Sequence, residues 1–205
     1  TATADKIVLG KEGIRMPINL TKGQKINLSK EAPNLKVALV GLGWDIKQYD
    51  SGADYDLDAS IFLLDGTGKC AHDSDFIFYN NLSAGGVTHS GDNRTGEGEG
   101  DDEAITIEFD QVPSYVEKIV VTVTIYDAQA RGQNFGQVAN AFVRLVDKQT
   151  GVELLRYDLG EDYSTETAIV FAEIYRHNGE WKFSAVGSGF NGGLEALCRQ
   201  YGLSV

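Results

Sequence analysis

Apolar and polar residues alternate along this chain in short runs, with few helical stripes. The clearest run is Lys118-Ile-Val-Val-Thr-Val-Thr-Ile-Tyr126. There Val121, Val123 and Ile125 fall on one face of an extended strand and Thr122 and Thr124 on the other. Similar runs cover residues 25–28, 36–44, 56–64, 75–79, 87–90, 104–109, 141–146 and 152–158. Segments 167–175 and 180–186 flank Arg176-His-Asn-Gly179, where Asn178-Gly179 predicts a two-residue hairpin turn because both positions tolerate positive φ. Many short strands separated by Gly, Asn and Asp turns predict an all-β fold, an antiparallel β-sandwich of two sheets. Only two segments read as helical: a short turn at 134–139, and 193–201, where Leu194, Leu197, Cys198 and Tyr201 share one face. The fold class is therefore a sandwich with a short C-terminal helix. The echo between Ile18-Asn-Leu-Thr-Lys-Gly23 and Ile26-Asn-Leu-Ser-Lys30 suggests a small hairpin turning at Lys22-Gly23.

Two acidic stretches interrupt this pattern. Gly91-Asp-Asn-Arg-Thr-Gly-Glu-Gly-Glu-Gly-Asp-Asp-Glu103 places Asp92, Glu97, Glu99, Asp101, Asp102 and Glu103 in one glycine-rich loop, with Arg94 its one base. Like charges about 4 Å apart repel by roughly 1 kcal/mol in water and by more as water is excluded. The second stretch carries Asp54, Asp56 and Asp58 at i, i+2 and i+4, on one side of the strand that continues into Ser60-Ile-Phe-Leu-Leu64. Burying such carboxylates without a partner costs several kcal/mol, so acids in this arrangement call for a cation. The donors are hard oxygens with no Cys or His among them, which suits Ca²⁺ or Mg²⁺ better than Zn²⁺. Neither stretch is an EF-hand loop. In the first, Arg94 and Glu97 occupy the third and sixth positions; in the second, Ala59 stands where Gly is required and a strand follows. A site built jointly by two acidic loops at one end of the sandwich fits better.

Composition narrows the partners. A net charge of −12 is unsuited to binding nucleic acid, which needs a basic surface. No apolar run reaches the roughly 18 residues of a membrane span. The two cysteines, Cys70 and Cys198, form no disulfide framework and point to a reducing, cytoplasmic setting. The 205 residues allow one domain with a sizeable core, and no linker divides them. Met16 is the single methionine and reads as the natural start, which makes residues 1–15 an added or disordered extension and 16–205 the domain. His72, His89 and His177 show no metal-ligand spacing, and no GxSxG elbow is present. Glu161, Asp162 and Glu166 form a third acidic patch that reads as a solvated turn, and Asp127–Gly136 as a connecting loop.

Several motifs in order resemble the TerD tellurite-resistance family. They are Val40-Gly-Leu-Gly-Trp-Asp45, Asp56-Leu-Asp-Ala-Ser60, Asp75-Phe-Ile-Phe-Tyr-Asn-Asn81, Gly91-Asp-Asn-Arg-Thr-Gly96 with Gly100-Asp-Asp-Glu103, and Arg176-His-Asn-Gly-Glu-Trp-Lys182. The resemblance runs from about Pro17 to the C-terminus. It implies a β-sandwich with calcium-binding loops at one end and a role in tellurite and other stress responses. Carried onto this sequence, it implies Asp56 and Asp58, Asp92 and Asn93, and Glu97, Glu99, Asp101, Asp102 and Glu103 as ligands, with Asn80 and Asn81 adding oxygens. Two Ca²⁺ ions need roughly 12–16 oxygens, which this set with waters can supply. The expected function is that of a non-enzymatic, calcium-binding interaction module. Its partners are unidentified proteins, among them other tellurite-resistance proteins. Two alternatives are a metal-dependent phosphoester-processing enzyme and a calcium-dependent module for anionic lipid.

Overall fold

A computed structural model describes residues 16–46, 55–90, 100–160 and 163–204. In chain order its elements are β1 (Ile18–Leu20), β2 (Lys25–Asn27), α1 (Leu28–Glu31), β3 (Val37–Ile46), β4 (Leu57–Leu64), β5 (Phe76–Ile77), β6 (Ser83–Ala84), β7 (Val87–His89), β8 (Glu103–Glu108), β9 (Lys118–Ile125), α2 (Ala128–Arg131), β10 (Val138–Asp147), β11 (Glu153–Asp158), β12 (Ala168–His177), β13 (Glu180–Phe190) and α3 (Gly193–Gln200). They form a seven-stranded sheet, β1-β11-β10-β3-β8-β7-β6, and a six-stranded sheet, β2-β13-β12-β9-β4-β5. Among the described residues, every pairing is antiparallel except β1 with β11.

The period-2 pattern decides the two faces. From β3, Ala38, Val40, Leu42 and Trp44 enter the core between the sheets; from β9, Val121, Val123 and Ile125 do the same. The opposite face of β9 presents Val120, Thr122 and Thr124, all buried. There α3 covers the six-stranded sheet, packing Leu197, Cys198 and Tyr201 on Phe62, Val120 and Val170. This is the helical face expected from Leu197, Cys198 and Tyr201. The predicted hairpin also forms, with Asn178 and Gly179 at φ 54° and 74° between β12 and β13.

Two local expectations are corrected. The echoing segments 18–23 and 26–30 do not pair with each other. Thr21–Gln24 does make a tight turn, the Gln24 amide donating to the Thr21 carbonyl at 3.0 Å. The turn carries the chain from one sheet to the other, so β1 pairs with β11 and β2 with β13. Residues 25–28 are not all strand either. Asn27 caps α1, accepting the Lys30 amide at 3.1 Å, and Leu28 opens the helix.

Candidate metal centre

The two acids of β4 sit at one end of the sandwich. Asp56 precedes the strand and its carbonyl accepts the Tyr126 amide at 2.8 Å, which prolongs the β4–β9 pairing. Asp58 lies within the strand opposite Thr124, almost fully buried. Ser60 follows on the same face, opposite Thr122. Tyr79 completes this corner. Burial, and then the charges of Asp58 and Asp56, hold its phenol above the ordinary range.

Glu103 has a different task. β5 pairs only with Ile61 and Phe62, so it stops short of Ala59 on that edge of β4. Side chains from the other sheet take its place. The Ala59 amide donates to Glu103 Oε2 at 2.7 Å, and His89 Nε2 lies 3.0 Å from the Ala59 carbonyl. A carboxylate and an imidazole N–H thus stand in for one residue of a neighbouring strand. His89 Nε2 is also 3.2 Å from Glu103 Oε2, and both side chains are buried. Burial disfavours the charged imidazole, yet the hydrogen bond and charge of Glu103, the Ala59 carbonyl and Asp58 outweigh it and raise the His89 pKa.

Asp101 and Asp102 are likewise engaged by the fold. Arg144 of β10 grips Asp101 with two hydrogen bonds, Nε to Oδ1 at 2.7 Å and Nη2 to Oδ2 at 2.8 Å, and also reaches Glu153 at 3.2 Å. The Asp101 carboxylate lies directly over Gly41 of β3. Asp102 Oδ2 accepts the Trp44 amide at 2.8 Å, while its own amide donates to the Leu42 carbonyl at 2.7 Å. Burial pushes the Asp102 carboxyl up against the pull of the Trp44 amide, and Asp45 and Asp101 push it further. Asn81 closes the turn after β5, its amide nitrogen donating to the Phe76 and Ser74 carbonyls at 2.7 and 3.3 Å, and Asn80 is exposed beside it.

The structure therefore gathers Asp56, Asp58 and Tyr79 at the mouth of β4, and sets Asp101, Asp102 and Glu103 in the stem of β8. The predictions for Asp92, Asn93, Glu97 and Glu99 lie outside the described residues, as do Asp54, Glu161, Asp162 and residues 1–15. Among the described residues, no group of three or more His, Cys, Asp or Glu is arranged to hold a metal ion. A Ca²⁺ ion takes 6–8 oxygens, so Asp56 and Asp58 could supply only part of a shell. Glu166, from the third acidic patch, accepts the Ser164 and Thr165 amides at 2.9 and 3.0 Å, as a turn residue does. Sequence reading missed Arg144, His89 and Tyr79 because each meets its partner only through sheet packing.

The two sheets and their pairings define a mostly antiparallel β-sandwich, with Asp56 and Asp58 at the start of β4 and Asp101, Asp102 and Glu103 leading into β8. Sequence comparison then gives the family. Residues 16–201 match the TerD domain. The chain is 61% identical over 191 residues to Tellurium resistance protein TerD of Serratia marcescens, covering 92% of this chain and 99% of that protein. It is 59% identical over 192 residues to General stress protein 16U of Bacillus subtilis (strain 168), covering 93% and 100%. The crystal structure of a homologue of telluride resistance protein (TerD) from Streptomyces coelicolor A3(2) superimposes with a TM-score of 0.64 at 26% identity, covering 80% of this chain and 95% of that one. The chain belongs to the TerD family of tellurium-resistance and stress proteins.

Proposed function

We propose that the chain is a non-enzymatic, calcium-binding interaction module of the tellurite-resistance and stress-response type. The observation that carries this reading is the accumulation of negative charge at one end. Asp56 and Asp58 stand at the start of β4, with Asp101, Asp102 and Glu103 leading into the neighbouring β8 stem, and Glu103 bonds Ala59 next to Asp58. A cation placed there relieves that repulsion. Asp56 and Asp58 are its described ligands, completed by the acids of 91–99. Asp101 and Glu103, held by Arg144, the Ala59 amide and His89, frame the site and do not need to ligate. A binding role is favoured over catalysis because His89 and Glu103, the buried acid–base pair nearest the site, are engaged with the Ala59 backbone. A cytoplasmic setting accords with the unpaired thiols of Cys70 and Cys198. Among the described residues, no helix is long and apolar enough to cross a membrane.

Calcium titration of metal-stripped protein by calorimetry tests this, paired with thermal melts. Ligand at a hundredfold excess over Kd stabilises by about 2.7 kcal/mol. For a domain of this size that is a rise of roughly 5–10 °C in Tm. The rise is expected to disappear in Asp56→Asn/Asp58→Asn. A metal-stripped protein whose melting is indifferent to added Ca²⁺ would refute the reading.

A further inference from the structure

The packing under α3 is separate from the core between the sheets. Phe62, Val120 and Val170 of the six-stranded sheet form their own buried cluster with Leu197, Cys198 and the helix-capping Tyr201. An eight-residue helix is too short to hold itself together in water, so α3 depends on this cluster. It is joined to β13 through Gly192 and Gly193, both at positive φ, 94° and 60°. Gly192 at the N-cap has no side chain to fix the first turn, and the Gly193 amide donates instead to the Thr167 hydroxyl at 2.9 Å. Two successive glycines let the backbone swing at that point. At its other end the helix is tied to the segment after β4. There the Cys70 amide donates to the Tyr201 carbonyl at 2.9 Å, and Lys69 Nζ to the Gln200 carbonyl.

Both cysteines meet at this cover. Cys198 lies on its underside, 1% exposed, and Cys70 is half-buried against the same cluster. The bond to Tyr201 sets the Cys70 backbone beside the end of α3. Cys198 is three residues before Tyr201, about one helical turn of ~5 Å. Cys70 also feels the charge of Cys198. Disulfide-bonded residues have Cα atoms roughly 4.4–6.8 Å apart, so a movement of the cover, with the sheets unchanged, suffices to join the two sulfurs.

We propose that α3 is a redox-gated cover: it swings at Gly192–Gly193 while the two sheets stay folded, and Cys70 and Cys198, freed by that motion, close into a disulfide that locks it down. The proposal does not depend on the calcium reading. In the closed state burial keeps both thiols protonated, which ties oxidation to opening. Hydrogen peroxide serves as the oxidant. The Cys70 thiolate, at the rim, attacks one peroxide oxygen and gives Cys70–SOH and hydroxide. The Cys198 thiolate then attacks the Cys70 sulfur and expels the second hydroxide. The two protons released by the thiols neutralise the two hydroxides, so two thiols and one peroxide become one disulfide and two waters. The new bond fixes the end of α3 to the segment after β4 and stops the cover from opening.

Thiol labelling, hydrogen exchange and peptide mapping test this on the full chain. In the reduced protein, slow labelling of Cys198 should change little with low urea, because a small local opening exposes little surface, whereas global unfolding responds steeply. Amides of α3 should exchange faster than those of β9 and β12. After peroxide treatment, mapping should find Cys70 bridged to Cys198 within one chain, and dithiothreitol should reverse it. The bridge should slow exchange in α3 by about tenfold or more. Cys70→Ala, altered at the rim, should keep the fold and show neither bridge nor slowed exchange after peroxide. Cys198 labelling that follows global unfolding in urea overturns the hinged cover. Peroxide that yields sulfinic acids or only bridges between chains overturns the disulfide, as does an oxidised α3 that exchanges as fast as the reduced one.

Discussion

The clasp between Asp101 and Arg144 makes a glycine of β3 answerable to a side chain far along the sequence. A Cβ added at Gly41 would lie 2.3 Å from the Asp101 carboxylate carbon, closer than real atoms approach. In Gly41→Ala the carboxylate must leave, and with it both hydrogen bonds to Arg144. Hydrogen bonds to charged groups contribute about 1.5–3 kcal/mol. The Arg144 side chain is 30% exposed and that of Asp101 11%, so solvent screening puts the clasp near the low end, about 2 kcal/mol. Alanine in place of glycine returns about 0.5 kcal/mol by restricting the unfolded chain. Gly41→Ala should therefore cost about 1.5 kcal/mol and Asp101→Ala about 2 kcal/mol. In the double variant the new methyl enters space already vacated, so its cost should stay near 1.5 kcal/mol, well short of the roughly 3.5 kcal/mol of simple addition. Urea unfolding of the four proteins measures the coupling of about 2 kcal/mol, which corresponds to about 4–8 °C in Tm. Additivity within about 0.5 kcal/mol would show that Gly41 serves something other than the seat of Asp101.

Two further outcomes follow from buried titrating groups. The His89 pKa is raised in the fold, so its stabilisation is full below the ordinary value of about 6.5 and is lost as pH rises through the elevated folded value. The stability gap between the parent and His89→Gln, read by urea unfolding, should therefore be widest near pH 6 and narrow towards pH 9; a gap that widens with pH contradicts the ion pair with Glu103. Burial, then the charge of Asp75, pushes the Cys70 thiol up to about 12, and burial, then Glu195, pushes Cys198 up to about 11. Ellman's reagent at pH 8 should react slowly with the native protein and promptly after unfolding, and prompt native labelling of either thiol would contradict this.

The strands were legible because alternation is a local property. Each residue of β9 needs only its neighbours to reveal which side faces the core. The hairpin at Asn178-Gly179 was legible for the same reason, since positive φ is a demand on the turn itself. β1 was not. Three residues carry too little pattern, and their pairing with β11 depends on a turn that leads from one sheet to the other. Leu28 misled for a related reason: its burial fits a strand end or a helix start equally, and the Asn27 cap decides between them. Gly41 and Gly43 stood out as a motif without a visible cause. The structure provides one: Cβ atoms there would meet Asp101 and the Phe142 ring.

The acids divide along the same line between local pattern and tertiary partner. In sequence, 101–103 look like the dense end of one ligand run, because composition counts carboxylates and cannot show who neutralises them. In the fold, Arg144 answers Asp101, the Trp44 amide answers Asp102, and the Ala59 amide with His89 answers Glu103. Partners of this kind lower the need for a cation at those three positions and tie the stem of β8 to both sheets. Glu103 in particular grips β4 one residue beyond Asp58, so displacing the stem also disturbs the strand that presents the two candidate ligands. Asp101, Asp102 and Glu103 thus hold the frame beside the strand that carries Asp56 and Asp58. Asp56→Asn/Asp58→Asn should remove the rise in Tm on adding calcium. Glu103→Gln, which leaves the Ala59 edge and His89 poorly paired, should lower metal-free stability first, by about 1–3 kcal/mol in urea unfolding. A Glu103→Gln variant as stable as the parent without metal would show that the Ala59 edge does not depend on Glu103.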